Sequence, residues 1–261
     1  MSRNFSSRIR MFKLHDVLYL FIFLCECFCH VKSVPCRGTA SYKLQFQAEW
    51  KNTTSRPAGA GFSGLIGCSH NKCYRMWKPG EKASLGVKNV AEKGDTKVLE
   101  DEINKLVRNR TTRHAFTRPT PLAPQRTSDV IEFNVDSVRP LVSFITRITP
   151  SPDWFIGVHD LDLCDRMTGD WLDLKQVQPV SAFYAVTSDG IGRISNDPSA
   201  PWTTQKRELG VFHFSKMSDS GRSSTGEFES DETFICPSKA SQTNMSYVVV
   251  FLTSLLVALI L

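Results

Sequence analysis

Leu141-Val-Ser-Phe-Ile-Thr-Arg-Ile-Thr-Pro-Ser-Pro-Asp-Trp-Phe-Ile-Gly-Val158 is the stretch from which the fold class is read. Leu141 to Ile148 is apolar and β-branched, which suits a pleated, buried surface. Pro150-Ser-Pro152 stops it, because proline brings no amide to a ladder. Trp154 to Val158 then resumes as a second strand. Upstream, Tyr42, Leu44, Phe46, Ala48 and Trp50 alternate with polar residues, the pattern of a half-buried strand. Phe62 to Ile66, Tyr74 to Trp77, Val130 to Ser137 and Val211 to Phe214 read as further short strands. One segment has a strong helical period. From Thr96 to Arg108, the residues Val98, Leu99, Ile103, Leu106 and Val107 form an apolar stripe, with Asp95 placed to cap it. Short strands, frequent turns and one helix predict a mostly β protein, an antiparallel β-sandwich with one main α-helix and long loops. No internal repeat is present.

The two ends read as addresses. Arg3 to Lys13 is basic, Val17 to Phe28 is apolar, and Val31-Lys-Ser33 offers a cleavage site, so residues 1–33 are expected to be a signal peptide. A signal anchor is the alternative, although the apolar run falls short of the ~20 residues of a span. Residues 247–261, YVVVFLTSLLVALIL, are uncharged. Small residues at Ser238, Ala240 and Ser241 and a polar spacer over 237–246 precede them. This is the pattern of a lipid-anchor (GPI) signal with Ser238 as the attachment candidate, and a short membrane tail is the alternative. A domain over 34–236 is left between, expected to face an oxidising compartment.

Charge narrows the partners. The chain carries 32 Lys+Arg against 26 Asp+Glu, net +6. Residues 1–33 hold +3 of this and residues 239–261 hold +1, so the middle carries only +2. That is no footprint for nucleic acid. Residues 103–128 do concentrate charge, with Lys105, Arg108, Arg110, Arg113, Arg118 and Arg126, no acid, and three prolines. They read either as a solvated loop or as a contact for sulfated glycans or acidic surfaces.

Five cysteines lie outside the leader: Cys36, Cys68, Cys73, Cys164 and Cys236. Cys68 and Cys73 are close enough to bridge a turn. His70 between them invites zinc, but two further ligands at recognisable spacing are missing, so a local disulfide is expected. Cys236 is then the candidate free or intermolecular thiol. Asn52 and Asn109 head glycosylation sequons. No nucleophile elbow, phosphate loop or zincin motif occurs. Asp153, Asp160, Asp162, Asp165, Asp170 and Asp173 crowd together, either as a solvated loop or as oxygen ligands for calcium.

Several motifs in order resemble the spondin domain family of F-spondin and mindin. They are Pro150-Ser-Pro-Asp-Trp-Phe-Ile-Gly-Val158 with Asp162-Leu-Cys164, the opening Cys36-Arg-Gly-Thr-Ala-Ser-Tyr-Lys-Leu44, Phe62-Ser-Gly-Leu-Ile-Gly67 with His70, Tyr74 and Trp77, then Gly80, Ala83-Ser84, Gly86-Val-Lys88, Ala91-Glu92 and Gly94, and finally Pro198-Ser-Ala-Pro201. The resemblance covers about residues 36–215. It implies a calcium-binding antiparallel β-sandwich for matrix and cell-adhesion contacts, not an enzyme. It also implies a disulfide between Cys36 and Cys164, with Cys68–Cys73 as an extra bridge. The family's metal site implies Asp153 as a ligand and two loop aspartates. Here the loop departs: Ser181 falls at the first aspartate, three extra residues follow, and Asp189 is the remaining carboxylate. The family's thrombospondin repeats are not seen. The expected function is a surface-tethered module binding matrix, glycans or receptors such as integrins, with calcium. A metal-dependent hydrolase using the aspartate cluster, and a coat protein cross-linked through Cys236, are the alternatives.

Overall fold

A computed structural model describes residues 34–50, 56–177, 180–185, 192–195, 209–220 and Cys236, and for residues 180–185 and His114 the backbone alone. In chain order the elements are β1 (Thr39–Ala48), β2 (Gly61–His70), α1 (Leu85–Lys93), α2 (Lys97–Val107), β3 (Thr112–Arg118), β4 (Ile131–Asp136), β5 (Leu141–Thr149), β6 (Trp154–Asp162), β7 (Cys164–Asp165), β8 (Asp170–Trp171), β9 (Leu174–Val177), β10 (Val180–Ala185), β11 (Arg193–Ser195) and β12 (Gly210–Asp219). A four-stranded sheet, β4-β1-β12-β9, lies opposite a six-stranded sheet, β11-β10-β6-β5-β2-β3, and β7 pairs β8 in a small hairpin. The pairings are antiparallel.

Burial patterns explain the layering. In β1 every second residue is buried, so one face of the four-stranded sheet meets the core and the other meets water. β2 and β5 are buried almost throughout. Their inward side chains, such as Leu65 and Phe144, join Phe46, Phe133 and Phe212 between the sheets. Ile66, Cys68, Ile145 and Phe155 instead join Val87, Val90, Leu99 and Ile103 from the helices. The six-stranded sheet is thus the middle of three layers. This is why its strands read as continuous apolar runs rather than alternations. Phenylalanines hold the inner core, with Phe46 stacked on Phe212 at 4.4 Å and Phe144 edge-on to Phe212 at 4.7 Å between ring centres.

Three elements differ from expectation. The expected single helix starts where Asp95 Oδ1 accepts from the Lys97 amide at 3.0 Å, but a second helix, α1, precedes it. Ser84 caps α1, its Oγ accepting from the Val87 amide at 3.1 Å, and Gly94 ends it in the left-handed region (φ 73°). Tyr74 to Trp77 is not a strand. Its side chains pack on the outer face of the six-stranded sheet, and the Trp77 indole donates to the Phe144 carbonyl at 3.2 Å. Residues 103–128 are not one loop, because β3 crosses the sheet edge within them.

The cysteines pair differently too. Cys36 joins Cys164, and Cys73 joins Cys236. The expected Cys68–Cys73 bridge does not form. Cys68 points from within β2 into the apolar layer beneath the helices, whereas Cys73 sits in the turn beyond His70. Cys68 is a buried free thiol, its pKa pushed far up by burial. Cys236 is therefore not a spare thiol, and in this pairing it is not available to cross-link two copies. Among the described residues no helix is long and apolar enough to cross a membrane. Residues 1–33, Asn52, Asp189, Ser238 and 247–261 lie outside the described residues.

Candidate functional site at the loop end of the sandwich

Strand directions sort the loops into two ends. One end holds the 149–153 turn, the start of β2, the loop before β4, the end of β10 and the C-terminus of α1. The other holds the Cys36–Cys164 bridge, the β7–β8 hairpin and the His70 region. β6 runs between the ends, and its nine residues span roughly 27 Å.

That length dismantles the aspartate cluster. Asp153 lies at the first end, while Asp160, Asp162, Asp165, Asp170 and Asp173 lie toward the second. The distal acids are also engaged. Asp162 accepts from Arg166 Nε at 2.8 Å and from the Cys164 amide, Asp165 accepts from the Met167 amide, and Asp173 pairs with Lys216 at 2.7 Å. Among the described residues no group of three His, Cys, Asp or Glu is placed to hold a metal. The cluster is therefore not one carboxylate site, for calcium or for a hydrolase.

Asp153 stands apart. The turn before it contains a cis Thr149–Pro150 peptide. Ser151 Oγ donates to the Ile148 carbonyl at 2.6 Å and accepts from the Trp154 amide at 3.2 Å. Arg147 donates to the Ser151 carbonyl. Asp153 is thereby held half-buried, with burial and the charge of Glu92 at the end of α1 raising its pKa above the ordinary carboxylate value. Two carboxylates in mutual repulsion with partial desolvation are a setting that a hard cation relieves. Pairing of Phe183 with Trp154 puts the exit of β10 beside Asp153, so the chain that carries Asp189 leaves from there. Ser181 pairs with Ile156, three positions along and roughly 10 Å from Asp153. The register thus separates Ser181 from Asp153. Of the residues that the resemblance implied for calcium, Asp153 is at the loop end and fits; Glu92 is a neighbour that the sequence did not single out.

At the other end His70 is fully buried. Its Nδ1 lies 2.9 Å from the Asn71 carbonyl, which requires a proton there, so Nε2 accepts from the Ser143 hydroxyl at 2.7 Å. Ser143 Oγ in turn accepts from the Asp160 amide at 2.9 Å. Asp160 itself pairs with Arg75 at 3.3 Å, and its pKa is lowered by His159, His70 and Arg75 against the opposing effect of burial. Serine, histidine and aspartate meet here, yet Ser143 is fully buried and the Asn71 carbonyl rather than Asp160 holds Nδ1, so the group braces the sheet. Among the described residues no zinc set forms at His70.

Burial lowers the pKa of His70. The unfolded imidazole, with pKa near 6.5, binds more protons than the folded one, so stability is present above that value and is lost as pH falls below it. The melting temperature is expected to drop between pH 7 and pH 5 in wild type, and less so in His70→Gln. Parallel slopes in the two proteins would remove His70 as the cause.

The basic run is dispersed in the same way. Lys105, Arg108 and Arg110 stand at the end of α2, near the exposed Asn109 sequon. Arg113 and Arg139 share Asp136, at 2.8 and 2.7 Å. Arg118 is buried and donates to the Thr120 and Ser63 carbonyls. Of the six cations, Arg118 and Arg126 lie toward the loop end that holds Asp153, and of these two Arg126 is the exposed one.

The three-layered sandwich thus gathers loops, a turn-held carboxylate and a helix terminus at one end. The family profile Spondin_N matches residues 40–220, and the chain belongs to that family. It is 38% identical over 173 residues to Spondin-1 of Homo sapiens, covering 63% of this chain and 21% of that protein. Spondin-1 of Mus musculus is 37% identical over 172 residues with the same coverage. Spondin-2 of Homo sapiens is 38% identical over 138 residues, 49% of this chain and 41% of that protein. The chain thus matches about a fifth of Spondin-1 and two fifths of Spondin-2.

Proposed function

We propose that this chain is an extracellular adhesion module that binds matrix or cell-surface ligands through the loop end of its sandwich, with calcium held at Asp153. The observation that supports this reading most is the half-buried Asp153 carboxyl at the gathered loops, inside a chain of the Spondin_N family. Two disulfides fit an oxidising compartment and the secretory route expected of residues 1–33. The apolar 247–261 segment is proposed to tether the module at the cell surface. Release of the protein from intact cells by a phosphatidylinositol-specific phospholipase would identify that tether as a lipid anchor.

Calcium would neutralise the Asp153 region and order the loops around a ligand carboxylate. A ligand that binds only the folded state at about 100 times its Kd adds about 2.7 kcal/mol, roughly 5–11 °C for a domain of this size. The expected result is a saturable rise in melting temperature with calcium, absent in Asp153→Asn. A flat response up to millimolar calcium in wild type would refute the metal.

A further inference from the structure

A cleft of about 520 Å³ opens at the loop end between the 56–60 loop and the 123–126 loop. It continues into a second of about 370 Å³ along the end of β1, and the two share Gln125 and Arg126. Such volumes are those of small-ligand sites. Arg56 and Arg126 face this groove from two loops 70 positions apart in sequence, and among the described residues neither guanidinium pairs with a carboxylate. Arg56 does not swing freely. Its Nη1 donates to Gln125 Oε1 at 2.6 Å, and Gln125 Nε2 donates to the Trp50 carbonyl at 3.0 Å. Gln125 holds a left-handed backbone (φ 54°), an unfavourable conformation for a residue other than glycine. Among the described residues of the groove wall Glu49 carries the one carboxylate; it stands at the β1 end, with its Oε1 accepting from Gln47 Nε2 at 3.4 Å.

We infer that this groove binds an anionic polysaccharide, with Arg56 and Arg126 straddling a sulfate or carboxylate group of one sugar and the amides of Gln47 and Gln125 meeting hydroxyls of the next. Two guanidinium groups supply forked donors suited to such oxyanions. Around the guanidinium and amide groups the larger cleft is lined by the small residues Pro57, Ala58, Ala60, Ala123 and Pro124, with none of the large apolar side chains that anchor a peptide. The site is separate from Asp153, although both lie at the same end, so it stands or falls independently of calcium.

The test uses the full-length protein and a fluorescent heparin octasaccharide at physiological salt, with and without calcium. Wild type is expected to bind. Arg56→Gln with Arg126→Gln should weaken binding by about tenfold or more, because both charges contact the ligand directly. The same double change leaves an exposed surface, so its melting curve should match wild type. Lys105→Gln with Arg108→Gln removes an equal charge at the opposite end and should alter binding less than about twofold, the size of a screened distant charge effect. Asp153→Asn should bind as wild type does. No binding by wild type, or equal losses in both charge-reduced variants, would overturn the site in favour of none or of diffuse attraction. Polyglutamate that competes as well as heparin would overturn the polysaccharide in favour of an acidic polypeptide.

Discussion

Gly157→Ala is expected to lower the melting temperature by about 6–12 °C, equivalent to about 3 kcal/mol in a domain of this size. A Cβ at that position would stand 2.1 Å from the Phe144 carbonyl oxygen and 3.1 Å from Ile145 Cα, which is backbone and has nowhere to go. The carbonyl is also the acceptor for the Trp77 indole, and Trp77 in turn packs edge-on against Phe155 at 5.1 Å and His159 at 4.9 Å. Displacing the carbonyl therefore disturbs the middle sheet and the layer above it together. Thermal melting checks the value, and loss of the Trp77 fluorescence shift in the native state localises it. A melting point within about 2 °C of wild type would mean that β5 and β6 separate more easily than close packing allows.

Cys36→Ser with Cys164→Ser should cost somewhat more, at about 4 kcal/mol, because the bridge closes a separation of 128 residues and restricts the unfolded chain. In the native state it pins the start of β1 to the β7–β8 hairpin, where the Trp171 indole donates to the Arg37 carbonyl at 2.9 Å and the Tyr42 hydroxyl to the Leu172 carbonyl at 2.7 Å. Hydrogen exchange should show the hairpin opening first in this variant. Retained protection there, with unchanged melting, would place the hairpin's stability in those two hydrogen bonds alone.

Much of this fold could be read from particular residues. Pro150-Ser-Pro152 punctuates β5 and β6, and the alternation from Tyr42 to Trp50 marks a strand with one wet face. The unbroken apolar character of β5 marks a strand covered on both faces, although the second cover was not foreseen. Helix α1 escaped because Val87, Val90 and Ala91 make a stripe too short to stand out; its local signals were the flanking Ser84 and Gly94. β3 hid within a basic, proline-rich run because its buried described residues, Thr112, Phe116 and Arg118, include a threonine and an arginine, and an arginine satisfied by carbonyls looks like a surface residue in sequence.

The site was less legible, for a reason of distance. Six aspartates adjacent in sequence are parted by the length of one strand, whereas Arg56 and Arg126, far apart in sequence, share one groove. Glu92 beside Asp153 follows from where α1 ends, which periodicity did not reveal. Cysteine pairing has the same character: Cys73 takes a partner 163 positions away rather than one five positions away.

The Cys73–Cys236 bridge also fixes where tension enters the molecule. A pull on the chain beyond Cys236 is transmitted through the sulfurs to Cys73, in the turn just past the end of β2. β2 is hydrogen-bonded on both sides, to β3 and to β5, and its far end lies at the loops that carry Asp153 and the arginine groove. Load applied between a bound ligand and the chain past Cys236 runs lengthwise along β2 and strains its ladder bonds together in shear, rather than peeling them one at a time. The linkage makes the middle sheet a tie-rod between what the loops grip and whatever holds the chain beyond the bridge.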